Sequence, residues 1–274
     1  MKVYLLIISL FITQLAQAQT ITGTVVDSKN KQALAYVNIG IVGRGIGTVS
    51  DINGKFTFNL QDSLNDQILK FSYIGYKAKS YLVKDFRDKL KENTLIISLE
   101  ENIVSLAEIT VKPKVMKTKV LGNTNNSESV IAGFKSNDLG SEVGTVMRIR
   151  KKPTHLENVN FNIATNEIEN CKFRMNIYSM KNGQPDSIIL KEPIYITTSL
   201  KSGTLSVDLK KYNLWVESDF LVSLEWIEDY GTNKLAFCAG LMDSNSMWRK
   251  TSQDKWMKAT PVGMGFNATV TYEK

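Results

Sequence analysis

Apolar and polar positions alternate in short runs along most of this chain. Ile21 and Val25, then Phe56, Phe58 and Leu60, fall on every second or fourth position, the period of a half-buried strand. Between them Asp51-Ile52-Asn53-Gly54 supplies residues that tolerate left-handed backbone angles, so a tight reversal is expected there. Thr94–Leu99 reads as a buried strand and Leu106–Val111 as one more. From Pro113 to Gly140 the composition turns to Asn, Ser, Gly and Lys around Asn123-Thr124-Asn125-Asn126-Ser127, which is linker chemistry.

A second strand-rich region follows. Val143–Lys151, Val159–Ala164, Lys172–Ser179, Ile194–Thr198, Leu205–Leu209, Phe220–Ile227, Leu235–Leu241 and Phe266–Tyr272 alternate or run apolar, with turn residues between them. The pattern predicts an all-β protein with a first sandwich over 20–112, a polar linker over 113–140 and a second, jelly-roll-like sandwich over 141–274. A length of 274 residues suits two such domains.

Residues 1–18 read as a secretory leader. Lys2 gives a positive end, Val3–Ile12 an apolar core, and Ala16-Gln17-Ala18 a small-x-small cleavage site. The apolar run is too short to span a bilayer, and no later stretch holds the roughly 18 apolar residues a spanning helix needs. No Cys follows the cleavage site to carry a lipid anchor. Export is therefore expected, to the periplasm, to the outer-membrane surface or to the medium, with no transmembrane segment in the mature chain.

The order Gly23-Thr24-Val25-x-Asp27, a strand, then Gly47-Thr48-x-Ser50-Asp51-x-Asn53-Gly54-Lys55-Phe56 resembles the carboxypeptidase regulatory-like domain. That resemblance implies a transthyretin-like, Ig-like sandwich serving as an accessory or interaction module without chemistry of its own. Leu106-x-Glu108-Ile109-x-Val111 is similar to the tail that follows this domain in TonB-dependent receptors of Bacteroidota. About 160 residues remain after it, without the repeated ten-residue strands and aromatic girdles of a barrel, so neither plug nor barrel is expected. Phe173-Arg174-x-Asn176-Ile177-Tyr178, Val207-Asp208-Leu209-x-x-Tyr212 and Ser223-Leu224-Glu225-Trp226 are similar to the C-terminal region of short Bacteroidota proteins that carry the same first domain. That likeness implies no activity.

A formal charge of +7 is spread evenly. Thr20–Lys112 carries 12 basic and 10 acidic residues, and Ser141–Lys274 carries 17 and 15. A nucleic-acid binder concentrates its charge on one face, so no nucleic-acid partner is expected. Two basic runs remain, Lys112, Lys114, Lys117 and Lys119, and Arg148 to Lys152. Each reads either as a patch for acidic glycans or lipopolysaccharide phosphates or as a solvated face. Met147 and Ile149 pointing inward, with Arg148 and Arg150 outward, favours the second.

Catalytic patterns are missing. His155 is the one histidine, so neither a two-His zinc site nor a second imidazole is available, and no metal site is expected. No G-x-S-x-G turn presents a nucleophile. Gly40, Gly43, Gly45 and Gly47 lie between strands with no following helix to bind an anion, and read as an adaptable hairpin. Asp51-x-Asn53-Gly54 echoes the start of a calcium loop without its remaining ligands. Glu225, Glu228 and Asp229 flank Trp226 at a strand end, where two carboxylates across a cleft would be needed for sugar hydrolysis.

Cys171 and Cys238, on different strands of the second domain, are either a disulfide or two separate buried thiols. The tryptophans Trp215, Trp226, Trp248 and Trp256 all fall in that domain. Trp226 reads as core, while Trp248 and Trp256 flank the polar stretch Arg249–Lys255 and are the candidates for an exposed sugar-stacking platform. The reading that results is a non-enzymatic, cofactor-free envelope protein that binds a protein or glycan, with outer-membrane transport machinery as a further expected partner. The alternatives are an envelope glycan hydrolase or an assembly accessory.

Overall fold

The computed structural model describes residues 18–90, 95–102, 115–134, 138–241 and 245–274. The leader's apolar core and the Leu106–Val111 strand lie outside them. Among the described residues the first sandwich has strands β1 (Ala18–Asp27), β2 (Asn38–Ile41), β3 (Ile46–Val49), β4 (Lys55–Gln61), β5 (Ile68–Ser72), β6 (Lys79–Leu82) and β7 (Ile96–Leu99), with helix α1 (Val83–Lys89). Two sheets, ordered β4-β1-β7 and β3-β2-β5-β6, enclose one core. Ile21, Val25, Phe56, Phe58 and Leu60 all lie in it, as their alternation predicts. The Asp51–Gly54 turn also forms. Asp51 Oδ1 accepts from the backbone amides of Asn53 and Lys55, both at 2.8 Å, and Gly54 takes φ +71°. Alternation gives no hint of α1, where Val83 and Phe86 stand one helical turn apart and both are buried.

The second sandwich has strands β8 (Met116–Gly122), β9 (Ile131–Gly133), β10 (Glu142–Met147), β11 (Thr154–Asn166), β12 (Cys171–Lys181), β13 (Gln184–Ile188), β14 (Ile194–Thr198), β15 (Gly203–Asp208), β16 (Trp215–Val216), β17 (Phe220–Trp226), β18 (Leu235–Leu241), β19 (Ser246–Arg249), β20 (Met257–Lys258), β21 (Val262–Met264) and β22 (Phe266–Glu273). One sheet runs β13-β12-β17-β10-β19-β20 with β14 also on β12. The other runs β21-β18-β11-β22-β8, with β15 and β16 on β11 and β9 on β18. Phe161, Phe173, Trp226, Phe237 and Phe266 fill the space between them.

The described part of the polar segment over 113–140 is not a free linker. Residues 116–122 pair along the whole of β22, and 131–133 pair with β18. The stretch between is pinned by its asparagines: Asn123 Nδ2 donates to Gly263 O at 2.8 Å and Asn125 Nδ2 to Ala239 O at 2.9 Å. Asn and Ser give linker composition, but the asparagine amides donate to backbone carbonyls of the sandwich here, so the segment straps it.

The two sandwiches also share a seam. Along β2 and the two residues before it, Val37, Ile39 and Ile41 face the first core, which leaves Tyr36, Asn38 and Gly40 on the opposite face. That face is buried too, because the β13-to-β20 sheet packs on it: Tyr36 and Val49 form a small apolar cluster with Ile227. Every residue of β17 is consequently buried.

Candidate functional site

Four adjacent strands carry a line of charges across the seam. The register sets Arg174 of β12 opposite Glu225 of β17, Glu225 opposite Glu142 of β10, and Glu142 opposite Arg249 of β19. Their neighbours Phe173, Leu224, Val143 and Trp248 point into the sandwich core, so the charged residues share the outer face. Glu142 and Glu225 are fully buried, and Arg174 and Arg249 nearly so.

Buried ions persist only when paired and hydrogen-bonded, and these are. Arg174 grips Glu225 Oε2 through Nε at 2.9 Å and Nη2 at 2.8 Å. Arg249 Nη2 lies 2.5 Å from Glu142 Oε2 and 3.7 Å from Glu225 Oε1. Asn176 Nδ2 donates to both carboxylates at 2.8 Å, and Ser223 Oγ and Tyr178 OH donate to Glu142 at 2.5 and 3.2 Å. Burial pushes the Glu142 carboxyl above its ordinary range, against the pull of Arg249 and with a further push from Glu225.

The first sandwich completes the network. Arg174 Nη1 donates to Tyr36 O at 2.5 Å and Nη2 donates to Asn38 Oδ1. Beside it, Glu228 accepts from Tyr36 OH at 2.5 Å and Tyr230 OH at 2.9 Å, with Lys172 Nζ at 3.1 Å. Burial alone would raise this carboxyl, yet those three donors hold it below its usual value.

The glycine-rich hairpin receives the loop after β19. Gly43 N donates to Gln253 O and Gly45 N to Asp254 Oδ1, both at 2.9 Å. A Cβ on Gly47 would stand 2.5 Å from Ser252 O. The absent side chains thus make room for the second sandwich, and the hairpin expected from sequence acts as its seat.

Between the domains a groove of about 750 Å³ opens beside the charge line. Lys70, Tyr73 and Tyr76 line it from the first sandwich, and Tyr178, Lys191 and Arg249 from the second. Tyr178 and Arg249 line the groove and also bond Glu142, so they cover the carboxylates. The two acids do meet, but sealed and neutralised by arginines, unlike an acid–base pair open to a substrate and water.

The residues singled out from sequence go elsewhere. Trp248 and Trp256 do not form one exposed platform: both are half-buried, Trp248 against the sandwich core and Trp256 on the opposite sheet face. Trp256 stacks edge-on to Tyr178 at 5.5 Å with the Arg249 guanidinium 5.1 Å over its ring. Cys171 and Cys238 are free, buried thiols. Cys171 lies in the core, while Cys238 adjoins core-facing Phe237 on β18 and so points to the other face, which rules out a bridge. Burial lifts the Cys171 thiol to about 12. His155 is half-buried, with Nδ1 2.9 Å from Glu157 Oε1 and its ring 4.7 Å from that of Trp215. Met147 is buried and Ile149 half-buried while Arg148 and Arg150 are exposed, the solvated face that alternation favours. Lys112 and Lys114 lie outside the described residues.

Sequence reasoning missed Arg174, Glu142, Arg249 and Ser252. One signal was present: polar residues on alternate positions of apolar runs, Arg174-x-Asn176-x-Tyr178 and Ser223-x-Glu225. It reads as a solvent face until a second layer covers it.

The CarboxypepD_reg-like domain family matches residues 21–111. The TonB-dependent receptor P3 of Formosa agariphila is 27% identical over 166 residues, covering 54% of this chain and 16% of the receptor, so the chain spans about a sixth of that relative's length. Among solved structures, the cysteine protease and lectin-like domains of Cwp84, a surface layer associated protein of Clostridium difficile, align over 88% of this chain and 59% of that one at TM-score 0.39 and 11% identity. Clostridial Cwp84 after propeptide cleavage aligns over 92% and 61% at TM-score 0.42 and 13% identity. Likenesses this weak carry no argument. The first sandwich rests on firmer ground: it is a carboxypeptidase regulatory-like domain, in a chain related over part of its length to a TonB-dependent receptor.

Proposed function

We propose that this chain is a non-enzymatic, exported envelope protein that binds a protein or glycan partner in the groove between its two sandwiches. The groove carries the reading: it is the size of a ligand cleft, and polar side chains from both domains converge on it. The chain's partial likeness to a TonB-dependent receptor favours a place in the envelope, at the periplasmic or outer-membrane surface, and a partner in outer-membrane transport is consistent with it. The buried, arginine-paired state of Glu142 and Glu225 supports binding over hydrolysis. Affinity co-purification of the full chain from native envelope tests this, alongside assay against envelope glycans. Capture of a defined partner without glycan cleavage is expected, and turnover abolished by Glu225→Gln would overturn it.

A further inference from the structure

We infer that the groove between the sandwiches is a site for an acidic oligosaccharide, one carrying carboxylate groups on its rings. This deepens the binding reading and rests on it. Four cationic side chains, Lys70, Arg174, Lys191 and Arg249, line the groove against one carboxylate, Asp186. The two arginines are already balanced by Glu225 and Glu142 behind them. With Asp186 set against the two lysines, one on each wall, the groove keeps a single surplus positive charge, and half-buried Lys70 feels it more strongly than a fully solvated side chain would.

Arg249 contributes a further unmet donor. Its guanidinium lies over the rings of Trp256 at 5.1 Å and Tyr178 at 6.0 Å, and its buried Nε–H has no acceptor among the described residues. A buried donor left unpaired costs free energy, and a ligand oxygen on the groove floor is one means of relieving it.

The rest of the lining suits sugar better than peptide. Tyr73 and Tyr76, with ring centroids 5.4 Å apart, offer aromatic faces on one wall. Asn102 adds an amide to the lining, and Gln253 Nε2 donates to Ser72 Oγ at 2.7 Å, which leaves the Ser72 hydroxyl hydrogen and the Gln253 carbonyl for ring hydroxyls. A peptide that adds a strand to this wall meets a poor template: β13 contains Pro185, which has no amide hydrogen, and its register with β12 shifts between Tyr178 and Met180.

The test is calorimetric titration of the full chain with tetragalacturonate, maltotetraose as the neutral control and tetraglutamate as the peptide control. Tetragalacturonate should bind at least tenfold more tightly than either control, and weaken as salt rises. Lys70→Ala with Lys191→Ala should cost a further tenfold or more without moving the thermal midpoint. Absence of tetragalacturonate binding, equal binding of either control, or indifference to the lysine changes would each overturn the assignment. If an envelope partner still co-purifies while tetragalacturonate fails to bind, the sugar assignment falls and the wider binding reading stands.

Discussion

The carbonyl oxygen of Ser252 occupies the space that a side chain on Gly47 would enter, 2.5 Å from where its Cβ would lie. Ser252 belongs to the second sandwich and Gly47 to the first, so this contact is part of what docks them. Gly47→Ala must push backbone against backbone, because Ile39 O is only 2.9 Å from the same point. The expected cost is about 1–3 kcal/mol. Calorimetry should resolve two transitions in the variant where the parent shows one; a single unshifted transition would mean that the hairpin is not the seat.

Removing one end of the charge line should be far worse than removing a pair. Arg174→Met strands Glu225 without its guanidinium and frees Tyr36 O and Asn38 Oδ1, at about 3–5 kcal/mol. Arg174→Met with Glu225→Met removes both charges and should recover most of that loss in urea unfolding. Additive losses in the double variant would show that the pair is not coupled.

Acid should loosen the seam through Glu228. Its folded carboxyl is held below the unfolded value by Tyr36, Tyr230 and Lys172 against the opposing effect of burial. The stability it lends is therefore full above the unfolded carboxylate pKa, about 4.3, and lost as pH falls through the lower folded one. Glu228→Gln should flatten the acid limb of a pH–stability curve measured by tyrosine fluorescence.

Limited proteolysis should spare Asn123–Ser127. The side chains of Asn123 and Asn125 tie this strap to Gly263 and Ala239, and protection follows hydrogen bonding and burial rather than composition. Asn125→Ala should open the site, and rapid cleavage of the parent chain there would restore the linker reading.

Thiol reagents should leave Cys171 and Cys238 unmodified in the folded chain and label both in urea. Both are buried, and burial raises both thiols. Mobility should be the same with and without reductant.

The alternation of Ile21, Val25, Phe56, Phe58 and Leu60 made the first sandwich legible, because one face of those strands meets a core and the other meets water. The same logic misled at β10, β12 and β17, and β19 was not among the expected strands. A strand covered on both sides by different layers looks half-exposed when one layer is polar, so Arg174 and Glu225 carried no warning of burial. Trp256 failed for a related reason: a polar neighbourhood in sequence proved to be Arg249 packed against its ring. Asn123 and Asn125 read as linker because composition cannot show what an amide bonds to.

The charge line also bears on how the strands find their alignment. Slipping β17 by one residue against β12 would set Leu224 or Trp226 opposite Arg174 and drive Glu225 into the apolar interior among Phe173 and Phe237. The same holds for β10 and β19, whose charges are read against Glu225 in turn. Hydrophobic collapse alone would tolerate several pairings of these four apolar runs. Arg174, Glu225, Glu142 and Arg249 act as a four-part key that leaves one of them without a stranded ion.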